Sequence, residues 1–206
     1  MRRFFSSALL LTLIAGVASA DFTGTGAGNA FVDNADVSSS ISVTGTTGTI
    51  VGVEVTINAM EHTWLGDLTA TLDNGTTSVT LFERVGQIGG AGFGDNVDTS
   101  GDFTFSSDGT DSLWAESAAS GGALNGAGFD FATSGADDVP TSLGDFFGQS
   151  KNGEWTLTIS DGAGGDSGQY AGWTLNLVSD GTAIPEPTTF GLLAGFAGLV
   201  AVRRRR

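Results

Sequence analysis

Apolar and polar residues alternate with a period of two along four stretches of this 206-residue chain. Val51, Val53, Val55 and Ile57 stand against Gly52, Glu54, Thr56 and Asn58. Leu68, Ala70 and Leu72 alternate with Thr69, Thr71 and Asp73. Trp155, Leu157 and Ile159 alternate with Thr156, Thr158 and Ser160, and Trp173, Leu175 and Leu177 with Thr174 and Asn176. A period of two sends successive side chains to opposite faces of a strand, and threonine on the polar face marks a half-buried antiparallel strand. Shorter runs predict weaker strands over residues 39–43, 79–82 and 103–105. Between the two ends of the chain nothing repeats every 3.6 residues. Several short strands joined by Gly, Ser, Thr and Asp turns predict an all-β domain, a sandwich or barrel, over residues 21–180 with its core in 39–178. Val53, Val55, Leu68, Leu72, Trp155, Leu157, Trp173 and Leu175 share one phase and are the predicted core. Residues 86–148, rich in Gly, Asp, Ser and Ala, read as long loops with one or two short strands. Pro140 and residues 143–147 are expected to bring the chain back to the core. No internal repeat argues for a solenoid.

Both ends break the pattern. Arg2 and Arg3 precede a mostly apolar stretch, and Ala18-Ser19-Ala20 is a small-residue cleavage site. Residues 1–20 therefore read as a secretory signal peptide, with Asp21 the first mature residue. At the other end, residues 181–206 carry Pro185-Glu186-Pro187, an apolar run over 188–202, and Arg203, Arg204, Arg205 and Arg206. The run is 15 residues, short against the ~20 that span a bilayer, and local thinning can accommodate it. Terminal arginines stay on the cytoplasmic side and so orient one transmembrane helix with the rest of the chain outside. This order resembles the PEP-CTERM sorting tail of exported proteins in Gram-negative bacteria. The resemblance implies an inner-membrane-anchored precursor and an exosortase-type processing enzyme acting near Pro185–Pro187. Delivery to the cell surface or extracellular matrix follows. The plainer alternative is an ordinary, unprocessed anchor.

Charge narrows the partners. The whole chain has a formal net charge of −15, but the six arginines of the two ends mask the domain. Residues 21–180 hold every acid except Glu186 and only two cations, Arg84 and Lys151, a charge near −20. Such a surface repels phosphate backbones and excludes nucleic acid as a partner. It favours calcium, whose ligands are clustered carboxylates; the bland alternative is solubility. There is no cysteine and one histidine, His62, so thiolate and multi-histidine metal sites are excluded. Any Ser-His-Asp triad would have to use His62. No catalytic residue is assigned.

Two segments carry a second resemblance. The first is His62-Thr63-Trp64-Leu65-Gly66-Asp67-Leu68, with Leu72 and Gly75-Thr76 behind it. The second is Asn152-Gly153-Glu154-Trp155-Thr156-Leu157, then Asp161, Asp166, Gly168 and Trp173-Thr174-Leu175. Together they resemble the P domain (P/Homo B) of proprotein convertases. The resemblance implies a jelly-roll antiparallel β-sandwich. It also implies a non-catalytic role, since in convertases the module follows and stabilises a subtilisin-like catalytic domain. Here a free-standing exported module without that domain is expected. It would act as a structural or interaction module, as a carbohydrate-binding or adhesive jelly roll, or as an accessory to a secreted subtilisin-like serine protease.

Within the motifs, Asp67 is expected to accept backbone N–H bonds at a strand entry, with calcium ligation the minor alternative. Asp161 and Asp166 bracket a glycine-rich loop whose backbone could curl around one ion, making them the candidate calcium ligands; solvated Asx-type turns are the alternative. Asp95, Asp98 and Asp102 form a looser acidic loop, and the Gly-rich stretch over 89–95 is a single copy that cannot stack as a calcium β-roll. Trp64, Trp114, Trp155 and Trp173 could form a sugar platform, but Trp155 and Trp173 carry the core phase, which leaves Trp114 as the one to test for exposure.

Overall fold

The computed structural model describes residues 21–180. The predicted signal peptide, Pro185-Glu186-Pro187, the apolar run 188–202 and Arg203–Arg206 lie outside the described residues. Among the described residues no helix is long and apolar enough to cross a membrane. In chain order the strands are β1 (Phe22–Ala30), β2 (Ala35–Val43), β3 (Ile50–Asn58), β4 (Glu61–His62), β5 (Leu68–Asp73) and β6 (Ser78–Glu83). They continue with β7 (Asp98–Ser100), β8 (Phe103–Ser106), the helix α1 (Leu113–Ala119), β9 (Ala123–Asn125), β10 (Asp130–Phe131), β11 (Gly153–Asp161) and β12 (Gly168–Ser179). An eight-stranded sheet runs β10-β8-β3-β12-β4-β7-β9, with β1 laid along β12, and a four-stranded sheet runs β2-β11-β5-β6. The two sheets pack as a sandwich. Most pairs are antiparallel as expected, but β8–β10 and β7–β9 are short parallel pairs.

The alternation predicted the core well. Val53, Val55, Leu68, Leu72, Trp155, Leu157, Trp173 and Leu175 are all buried. Their threonine neighbours point outward. Val51 is the exception: it is 45 % exposed, while Ile50 is fully buried. Ile50 pairs with Ser179 and Gly52 with Val178, so Val51 is the extra residue of a β-bulge. A bulge inverts the phase of everything before it.

Strand β1 was not expected, because its sequence FTGTGAGNA lacks apolar alternation. Its glycines are imposed by the neighbour it covers. Gly26 pairs with Trp173, and a Cβ on Gly26 would fall 1.9 Å from Trp173 Nε1. That indole N–H instead reaches across the sandwich to Ser39 Oγ, 3.1 Å away. The core therefore begins before residue 39.

Residues 86–148 hold the predicted strand at 103–105 as β8, and more than the one or two strands expected: β7, β9, β10 and α1 as well. The helix is one short amphipathic piece. Ser112 caps it by accepting the Ala115 N–H at 3.2 Å, and Leu113 and Ser117, one turn apart, are its buried residues. Leu143 and Phe146 do return the chain to the core, whereas Phe147 is 44 % exposed.

Candidate functional site

The segment from β4 to β5 crosses one end of the sandwich and meets the β11–β12 connection there. His62 lies at its centre and is 2 % exposed. Its Nε2 is 3.3 Å from Asp161 Oδ2, and its Nδ1 is 2.9 Å from the Trp64 carbonyl oxygen and 3.1 Å from the Trp64 backbone N. A proton on Nε2 is donated to Asp161 and leaves Nδ1 to accept the Trp64 N–H, whereas a proton on Nδ1 is donated to the Trp64 carbonyl. Phe31 meets the ring edge-on at 5.4 Å. Both ring nitrogens are thus engaged, one by a carboxylate and one by backbone. The pair joins β4 of one sheet to the end of β11 in the other.

Asp161 is also 2 % exposed, and its Oδ1 accepts the Ala163 N–H at 3.2 Å. Asp166 Oδ1 accepts the Thr63 hydroxyl at 2.9 Å. The structure therefore brings both candidate calcium ligands to adjacent residues, His62 and Thr63, and gives each a protein donor. Among the described residues no group of three or more acidic or histidine side chains is placed to hold a metal ion. Asp95 binds Ser117 Oγ at 2.7 Å, Asp102 binds the Ala59 N–H at 2.8 Å, and Asp98 is exposed.

Asp67 differs from expectation. It sits in a 3₁₀ turn over Leu65–Asp67, and its backbone oxygen, not its carboxylate, accepts the Gly162 N–H at 2.8 Å. The side chain is buried, and Oδ1 has no hydrogen-bond partner. Arg84 Nη2 approaches to only 3.9 Å. Burial pushes the Asp67 carboxyl above the usual range; Arg84 opposes this, and Asp161 and Asp166 add to it. Two glycines permit the arrangement. A Cβ on Gly162 would fall 2.2 Å from Arg84 Nη1, and one on Gly66 would fall 2.4 Å from Asp95 N. The motif residues thus build a tightly packed, charged end of the sandwich.

Beside it lies a shallow polar groove of about 500 Å³ lined by Glu61, His62, Asp98, Ser100 and Gln169 among others. It contains no aromatic side chain other than the His62 ring. Trp155 and Trp173 are fully buried, Trp114 packs half-buried against the core, and Trp64 donates its indole N–H to the Phe93 carbonyl at 2.9 Å. The four tryptophans make no common platform.

The outer faces of the sheets are features that the site reading missed. On the four-stranded sheet Thr158 stands opposite Thr71, and Thr71 opposite Thr80. Ser38 Oγ lies 2.8 Å from Thr158 Oγ1 and completes a hydroxyl row across four strands. The signal was visible as threonine on the polar phase, but the register that aligns the rows was not.

The proprotein convertase P-domain model matches residues 50–177. No curated protein matches the sequence. Among solved structures, a serine protease of Aeromonas sobria in complex with its chaperone is 20% identical with a TM-score of 0.44, covering 79% of this chain and 27% of that one. The same protease alone is 19% identical with a TM-score of 0.43, again over 79% and 27%. The chain thus spans about a quarter of the length of these proteases.

Proposed function

Because the chain belongs to the proprotein convertase P-domain family, matched over residues 50–177, we propose that it is a non-catalytic interaction module that works outside the cell. The observation that carries this reading is the state of His62. The only imidazole of the chain is buried, with one nitrogen at Asp161 and the other at the Trp64 backbone. A general base must reach the proton it removes, and this one is occupied in joining two sheets. The other motif residues serve the same end: Gly66 gives room to residue 95, and Trp155 and Trp173 fill the core.

Export is the second part of the proposal. The leader over 1–20 carries the chain out, and the tail over 181–206 holds it at the inner membrane until an exosortase-type enzyme releases it to the surface or matrix. The charge near −20 of residues 21–180 suits a module that stays soluble there. The test is fractionation of the producing cell with mass spectrometry of each fraction. Surface material is expected to begin at Asp21 and to lack peptides from 192–202. Intact tails in the surface form would reduce the protein to an ordinary anchored one. Stoichiometric co-purification with a subtilisin-like protease would replace the matrix reading with that of a protease accessory.

A further inference from the structure

Three exposed apolar side chains meet around the backbone of Ile50. Val51, Phe147 and Val178 are 45 %, 44 % and 46 % exposed. The Ile50 carbonyl accepts the N–H of Gly148, the residue after Phe147, at 2.9 Å, and the Ile50 N–H reaches the Gln149 carbonyl at 3.0 Å. On its other side Ile50 lies opposite Ser179, the residue after Val178. The bulge sets Val51 and Gly52 together against Val178. Gly52 adds no side chain between the two valines; a Cβ there would fall 3.1 Å from Val178 Cβ.

The chain leaves the domain at the same place. The Asp180 N–H bonds to the Thr49 carbonyl at 3.1 Å, and its carboxylate accepts the Thr49 N–H at 3.2 Å and hydroxyl at 2.9 Å. Val178 is thus two residues before the exit, and Val51 is two residues after the threonine that holds it. The apolar run begins soon after, at Thr188. Extended, the chain from Asp180 to Thr188 reaches at most about 30 Å. That is less than the length of β12, whose 12 residues span about 40 Å. A bilayer entered at residue 188 therefore lies nearer the Ile50 end of the sandwich than the His62 end, which sits at the start of β12. The acids at the exit are tied back: Asp180 to Thr49, and Asp21 to the Ser179 N–H at 2.9 Å. Asp108, Asp145 and Glu154 at this end are exposed and disfavour an anionic surface.

We propose that Val51, Phe147 and Val178 dock the domain of the anchored precursor onto the surface of the bilayer that its tail enters, with zwitterionic lipid as the partner. This rests on the reading of 188–202 as a membrane anchor and adds to it a contact between domain and bilayer. The short tether keeps the effective concentration of lipid surface high, so a small apolar patch is enough to hold the domain down. A second copy is a poor occupant, because two domains with a charge near −20 repel each other.

The chain contains no cysteine, so Val51→Cys takes one bimane label at the patch. Phe93→Cys takes one at the other end, where the Phe93 carbonyl accepts the Trp64 indole N–H. The full chain is reconstituted into phosphatidylcholine vesicles that carry a nitroxide high on the acyl chain, and is floated. Flotation with the label at 51 quenched and the label at 93 unquenched is expected. Phe147→Ser, Val178→Ser should lower the docked-to-free ratio roughly tenfold. Phe147→Leu, Val178→Ile should keep it, which separates lost apolarity from lost fold. Ile88→Ser, Val139→Ser, which removes exposed apolar side chains elsewhere, should also leave it unchanged. Equal quenching of the two labels overturns the proposal, as does indifference to the double serine variant at 147 and 178. Pyrene in place of bimane at 51 should give no excimer; excimers that grow with the protein-to-lipid ratio would assign the patch to a second copy and overturn it as well. A chain that floats with the label at 51 unquenched refutes the docking alone, whereas a chain that does not float refutes the anchor and the docking together.

Discussion

Replacing Asp67 by Asn should stabilise this domain at neutral pH, an unusual result for a buried motif residue. The carboxylate is 2 % exposed, and its Oδ1 has no hydrogen bond. Leaving a buried acceptor unsatisfied costs about 1–3 kcal/mol, and more for a charged group. The compensating attraction is poor: Arg84 Nη2 lies 3.9 Å away, beyond hydrogen-bond distance, and the two side chains are only 19% and 3% exposed, so the pair is desolvated without the hydrogen-bonded geometry that would offset that cost. An amide of the same shape removes the charge and keeps the packing, while Arg84 retains some solvent, so the balance favours Asn by about 1 kcal/mol. In a domain of this size that is a rise of about 2–4 °C in Tm. The pH dependence gives the reasoning its sign. The folded carboxyl has a raised pKa, so it binds its proton more tightly folded than unfolded. Ionised Asp67 therefore destabilises above the raised pKa, and the penalty lifts as pH falls through it, until the unfolded carboxyl is protonated as well. Thermal melts of wild type and Asp67→Asn from pH 8 to pH 4 should differ most at the alkaline end and converge toward acid. A variant less stable at pH 7.5, or an offset that does not change with pH, would show that Arg84 holds Asp67 as a productive ion pair.

Three further outcomes follow from the same structure. Gly26→Ala drives a methyl group into the Trp173 indole and should cost about 1–3 kcal/mol through overpacking, read as a lowered denaturant midpoint; an unchanged midpoint would mean that β1 does not cover Trp173. Asp161→Asn, Asp166→Asn should lower Tm in chelator as well as in calcium, because both carboxylates already hold protein donors; a loss seen only in calcium, beyond that in sodium at matched ionic strength, would make the loop a calcium site. Val51→Thr, at the exposed bulge position, should leave stability within about 0.5 kcal/mol; a larger loss would mean that the strand is in register through residue 51.

The parts of the fold legible in the sequence are those where side chains alone decide. Leu157 and Ile159 alternate with Thr156 and Thr158 because the strand has one wet face and one dry one, and that signal is local. Strand β1 was illegible because its inward residues are glycines, whose reason is the bulk of Trp173 on another strand. Of the short strands between 86 and 148 only β8 showed in the sequence, as the predicted 103–105; β7, β9 and β10 are two or three residues long, too few for a period to register. Asp67 was misread for the opposite reason. Its spacing suggested a turn acceptor, but the Gly162 N–H that could have satisfied it bonds to its backbone oxygen.

The same division separates family from function. Of the residues that carry the resemblance, His62, Leu65, Gly66, Asp67, Leu68, Trp155 and Trp173 are buried, while Thr63, Gly75, Thr76 and Glu154 lie in exposed turns and strand ends. A buried residue reports what the sandwich requires of its interior and is silent about what touches its exterior. Partner choice must lie in the residues that alternate with them, Thr71, Thr156 and Thr158 among others, which the fold leaves free to vary so long as they remain polar. In this chain many of those positions carry hydroxyls; Asp36, Asp73 and Glu83 beside them hold protein donors, and Glu154 on the same face is exposed. Thr71 lies between Ala70 and Leu72 on β5, and Thr158 between Leu157 and Ile159 on β11, so substituting each side of the alternation tests one claim apiece. Losing the leucines should unfold the module; losing the threonine hydroxyls should leave it folded.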